Sequence, residues 1–212
     1  MPMRYLIIFA LLILNTIQVF SQQNFEYDRV LSKFKVLDTS LTKADILSLY
    51  FQSAVNRDIE QIVVSEIRIK NLTSSGEFAK AVFVADSLLE KYPVSLVALF
   101  EKSYACATLG RTEEERVANK QYNALMRSVI FGLDGKKPET AFVLINQNDE
   151  YEVLRYLGFH AVSYREISLA GKTYDVIALK KNKHKISEIF FDISIPAKLK
   201  DDKLVDELRK SK

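Results

Sequence analysis

The spacing of apolar residues changes character once along this chain, at Gly132, and that change limits what the chain can fold into. Before it, apolar residues recur at i, i+3, i+4 and i+7, the pattern of helices that bury one face. Val30, Leu31, Phe34 and Leu37 form the first such set. Thr42 and Asp45 make a T-x-x-D capping pattern that predicts a helix start, continued by Ile46, Leu47, Tyr50, Phe51 and Ala54. The stretch from Ile59 to Leu72 is rich in β-branched residues (Ile62, Val63, Val64, Ile67, Ile69). Such residues suit a strand, but the length of the stretch and its helical neighbours favour a helix. Phe78, Ala81, Val82, Ala85, Leu88, Leu89 and Tyr92 follow helical spacing up to Pro93, which stops the helix. Leu96, Leu99, Phe100, Ser103 and Ala107 make another face that ends at Gly110. Ala118, Tyr122, Leu125 and Val129 make a third, ending near Gly132.

Beyond Gly132 the pattern is that of short strands. Ala141 to Ile145 suits a buried strand, and Asn148, Asp149 and Glu150 predict a helix start, with Asn148 as cap and two carboxylates in the first turn. That helix carries Val153, Leu154 and Leu157 and ends at Gly158, a residue suited to the C′ position. Phe159 to Leu169 and Thr173 to Leu179 read as a hairpin around Ala170-Gly171-Lys172. A second turn at Asn182-Lys183 leads into Ile186 to Ile195, which Pro196 ends. From Lys198 opposite charges sit at helical spacing, as expected of a solvated terminal helix or a frayed end.

Gly76 and Gly110 lie 34 residues apart, the period of the tetratricopeptide repeat. Around Gly76 the segment resembles that family, with Phe78, Ala81 and Pro93 at matching positions. A turn between antiparallel helices needs a residue free to take positive φ, and a small residue lets two helices approach closely. The second copy departs from the pattern: Glu115 replaces the small residue and no proline closes it. One good and one degenerate unit are expected, in an α+β fold of tetratricopeptide-like helical hairpins packed on a small antiparallel β-sheet. The boundaries expected are a signal peptide over 1–21, a helical region over 22–131, a small α+β region over 132–197 and a charged tail over 198–212.

The start of the chain has the parts of a secretory signal: Arg4, the apolar run Tyr5 to Leu14, and a small residue at Ser21. Cleavage is expected between Ser21 and Gln22, because the apolar run is shorter than the roughly 20 residues of a bilayer span. The expected product is exported, periplasmic or secreted, with no membrane span after cleavage. Cleavage removes one of 30 basic residues and none of 27 acidic ones. The resulting charge near +2 gives no reason to expect nucleic acid as partner. The sole cysteine, Cys106, excludes an internal disulfide and reads as a buried small hydrophobe. No cysteine stands near the cut to carry a lipid anchor.

Signatures of catalysis are missing. There is no H-E-x-x-H, C-x-x-C or G-x-S-x-G, and no cofactor or metal site is expected. Gly171-Lys172-Thr173 resembles the end of a P-loop, but Glu166 stands where the first glycine is needed and a strand follows. Asn71-Leu72-Thr73 is a formal glycosylation sequon. One region is dense in polar residues, giving Asp134, Asp149, Glu150 and Tyr151 as weak binding candidates. A carboxylate cluster of this kind could hold a cation. The alternative is turn and cap chemistry, with Asp134-Gly135 as a turn and Asp149 and Glu150 complementing a helix dipole.

The run DGKKPETAFVLINQNDEYEVLRYLGF, Asp134 to Phe159, together with YDVIAL (Tyr174 to Leu179) and FFDISIP (Phe190 to Pro196), looks like the signature of an uncharacterised exported family, domain of unknown function 4919. The resemblance runs from roughly Phe25 to Lys200. Leu133 departs from it, where a glycine is expected. It implies export and helical hairpins joined to a small β-rich end, and it brings no catalytic residues. The function expected is a soluble envelope module that binds an unidentified protein or peptide. The alternatives are a small-ligand or cation site built from Asp134, Asp149 and Glu150, or a hydrolase using His160 with those carboxylates.

Overall fold

A computed structural model describes residues 25–54 and 58–199. The expected signal segment with its Ser21–Gln22 junction, and the tail beyond 199, lie outside the described residues. Helix α1 covers 25–35, followed by α2 (Lys43–Gln52), α3 (Ile59–Ser74), α4 (Phe78–Lys91), α5 (Leu96–Thr108) and α6 (Thr112–Val129). A 3₁₀ turn at Pro138–Thr140 leads into β1 (Phe142–Val143), α7 (Asp149–Leu157), β2 (Ala161–Leu169), β3 (Lys172–Leu179) and β4 (Glu188–Asp192). A last helix, α8, covers 194–199.

Local chemistry accounts for the helix boundaries. The Thr42 hydroxyl accepts from the Asp45 N–H at 3.1 Å, and the Asp45 carboxylate accepts from the Thr42 N–H at 2.8 Å, a reciprocal capping box. The β-branched stretch is helical because its buried residues, Ile62, Glu66, Ile69 and Thr73, recur every three or four positions. Other residues of that stretch, such as Val64 and Ile67, face solvent. Asp58 starts this helix by accepting from the Gln61 N–H at 3.1 Å. Gly76 and Gly110 take φ of 80° and 72° at the helix–helix turns, where a side chain would be strained. Consecutive helices from α3 to α6 pack on one another, and α6 returns against α2. The helical layer is thus wrapped on itself.

The fold is α+β. Its four-stranded sheet runs in the order β1-β4-β3-β2. It is mixed, whereas the sequence predicted an antiparallel sheet: β1 lies parallel to β4, with Phe142 opposite Phe191. The predicted hairpin is present, with Ile167 opposite Tyr174 and Leu169 opposite Lys172. The sheet ends at Asp192, ahead of Pro196, because Ser194 already begins α8. One cluster of buried side chains runs through both layers and joins Leu49, Ile69, Leu99, Leu125 and Leu154 to Ile177, Ile189 and Phe191. Cys106 is fully buried beside Ala81, Val82 and Ala105, as the sequence reading expected.

Candidate functional site

The four residues singled out in the sequence are not brought together. Asp134 is exposed, and its Oδ1 accepts from the Lys136 N–H at 3.2 Å and the Thr140 hydroxyl at 2.6 Å. These are turn contacts, and the Thr140 hydrogen bond holds its carboxyl below the usual range. Asp149 and Glu150 are buried at the start of α7, while Tyr151 beside them is 53% exposed. Among the described residues no group of three or more His, Cys, Asp or Glu is placed to hold a metal ion. His160 is exposed at the end of the sheet, where its carbonyl accepts the Lys180 N–H.

The segment from Ile145 to Asp149 instead ties the helical layer to the sheet. Tyr50, fully buried on α2, donates to Asp149 Oδ2 at 2.7 Å and accepts the Ile145 N–H at 3.2 Å. Glu66, fully buried on α3, lies at the centre of a second group. Its Oε1 accepts from the Ser95 hydroxyl at 2.7 Å and from Asn146 Nδ2 at 3.2 Å. Its Oε2 accepts from Asn146 Nδ2 at 3.1 Å and Asn148 Nδ2 at 2.7 Å. Gln147 Nε2 donates to Asp175 Oδ2 on β3 at 2.6 Å. Five consecutive residues thereby contact α2, α3 and the sheet, and Glu66 links them on to Ser95 at the start of α5.

Asn148 does not cap α7 with its side chain, contrary to the sequence prediction. Its amide is used on Glu66, and the Asn148 N–H is taken by Asn146 Oδ1 at 3.1 Å. Burial raises the Glu66 carboxyl above its ordinary range, although the hydrogen bonds from Asn148, Ser95 and Asn146 oppose the shift. The network is enclosed and its donors are used within the fold. Its chemistry is that of a junction which fixes two layers against each other. Sequence reasoning missed Glu66, and the signal was available: an acid occupying a core position between Ile62 and Ile69.

Among the described residues an open concavity lies elsewhere, on the helical layer. The last turn of α1, the end of α4, Pro93, α5 and α6 enclose a groove of about 310 Å³. Phe34, Leu89, Pro93, Leu99 and Val117 supply its apolar surface, and Lys35, Glu90, Lys102 and Gln121 its polar rim. Lys102 Nζ is 2.6 Å from Asp86 Oδ1. Gln121 Nε2 donates to the Phe34 and Lys35 carbonyls at 3.3 and 3.4 Å, satisfying the end of α1 and holding one wall in place. The volume is at the lower end of ligand sites. An apolar floor with a charged rim suits one or two apolar side chains of a peptide. Pro93, just past the end of α4, is part of that floor.

No helix among the described residues is long and apolar enough to cross a membrane. No curated protein and no solved structure matches the chain. One family model, described as a domain of unknown function (DUF4919), matches residues 13–202, and the chain belongs to that family.

Proposed function

We propose that this protein is an exported, soluble, non-enzymatic binding module of the cell envelope, and that it holds a peptide or a segment of a partner protein in the groove between its helices. The groove of about 310 Å³ lined by Phe34, Leu89, Pro93, Leu99 and Val117 carries the reading. It is an open apolar concavity, whereas the carboxylates Asp149 and Glu150 are spent inside the fold. Export rests on Arg4, the apolar run to Leu14 and the small residue at Ser21.

The test is a pull-down from envelope extract with the protein starting at Gln22, comparing the native chain with Val117→Arg. Val117 is half-buried on α6, and arginine is a better helix former than valine, so the variant fills the groove while the helix is kept. A partner retained by the native protein and lost by a folded Val117→Arg variant supports the proposal. Equal recovery by both removes the groove from consideration.

A further inference from the structure

The hairpin β2–β3 carries a second surface, separate from the groove. β2 is an edge strand of nine residues, and among the described residues its one strand partner is β3. All nine are exposed except Ile167, which is half-buried, and the strand contains no proline. Val162 and Tyr164 are 64% and 68% exposed. A long, uninterrupted edge presents a row of backbone donors and acceptors that can pair with another chain, and proteins commonly blunt such edges. Here an irregularity between Ala161 and Ser163 disturbs one end only, leaving Ser163 to Leu169 in regular register.

Charge on the hairpin is divided between the two faces of the sheet, because successive side chains of a strand alternate. Arg165 reaches over β3 to Glu188 on β4, with contacts at 2.6 and 3.0 Å. Lys172 is held by Asp192 at 2.7 Å. Both basic groups of the hairpin are thus turned inward to acids of β4. On the other face Glu166 stands directly opposite Asp175, a like-charge pair that disfavours the sheet unless a cation joins it. Asp175 is 1% exposed, and its Oδ1 has no hydrogen-bond partner among the described residues.

We propose that the outer edge of β2 over Ser163–Leu169 docks an extended segment of a partner protein, which adds to the sheet as a further strand and places a lysine or arginine beside Glu166. Backbone pairing supplies the general attraction, and the exposed Glu166 carboxylate, with the buried Asp175 behind it, selects the residue opposite it. A second copy of this chain is the poorer occupant. The regular stretch is centred on Glu166, so a two-fold pairing sets Glu166 against its own copy, with Asp175 behind each.

The probes are acetylated, amidated heptapeptides of sequence Thr-Val-Thr-X-Thr-Val-Thr with X as Lys or Glu, titrated into the protein starting at Gln22. Amide hydrogen exchange of residues 163–169 is followed throughout. The Lys peptide is expected to protect those amides and to bind at least tenfold more tightly than the Glu peptide. Glu166→Lys is expected to reverse the order, and Val117→Arg to leave it unchanged, which separates this surface from the groove. Equal binding of the two peptides, no binding of either, or protection outside β2 overturns the proposal. So does concentration-dependent protection of residues 163–169 without peptide, because the occupant is then a second copy.

Discussion

Replacing Glu66 by glutamine tests the junction between the two layers. The substitution keeps the shape of the side chain and one acceptor oxygen, and converts the other into an amide that only donates. In the native protein Oε2 accepts from Asn148 Nδ2 at 2.7 Å and Asn146 Nδ2 at 3.1 Å. In Glu66→Gln two donors therefore face a donor. A buried donor left without an acceptor costs about 1–3 kcal/mol. Half-buried Asn148 can turn its amide over to relieve part of this, and glutamine no longer buries a charge. A net loss of about 1–3 kcal/mol follows, read as a fall in the urea midpoint.

The pH dependence of that loss carries a sign. Burial raises the folded-state Glu66 pKa above its unfolded value of 4.5. Its contribution to stability is fully present below that value and declines as pH rises through the raised one. Glutamine does not titrate, and the other carboxylates are common to both proteins. The advantage of the native protein over Glu66→Gln should thus be larger at pH 4 than at pH 7.5. A loss below about 0.5 kcal/mol, the range of an ordinary surface substitution, or an advantage that grows with pH, refutes the reasoning.

Three further outcomes are expected. Gly135→Ala should lower stability by about 2–4 kcal/mol in denaturant melts, since Gly135 sits at φ 65° and an added Cβ would lie 2.6 Å from the Phe142 ring. Thr42→Ala removes the capping box of α2 and should lower stability by about 1 kcal/mol in the same assay, with the loss absent in Thr42→Ser. N-terminal sequencing of the protein recovered from cells that express the full chain should begin at Gln22, and a start at Met1 would contradict cleavage at Ser21.

Local features of this fold were legible in the sequence because they depend on few neighbours. The capping box at Thr42 and Asp45, the turn at Gly76 and the left-handed C′ residue Gly158 each occupy a position that neighbouring residues define. The helical state of the Ile59–Ser74 segment was legible from its length and its helical neighbours, which outweighed its β-branched content. The parallel pairing of β1 with β4 was not, because Phe142 and Phe191 are brought together by everything folded between them. Asn148 was assigned a capping role from its position beside a helix start. Its amide is taken by Glu66 on a distant helix, and tertiary contact overrides the local preference. The carboxylates near α7 stood out as unusual, but the partner of Asp149 is Tyr50, on distant α2. The groove left no sequence signal beyond Pro93, since its walls come from four helices.

The central claim is that the groove between α1, α4, α5 and α6 holds a partner. A photo-reactive amino acid placed at Val117, within the groove, or at Phe83, which is 72% exposed and outside its lining, tests it in intact cells. Cross-linking of one partner from position 117 and not from position 83 is the result expected. Equal cross-linking from both positions, or capture from position 83 alone, would contradict it.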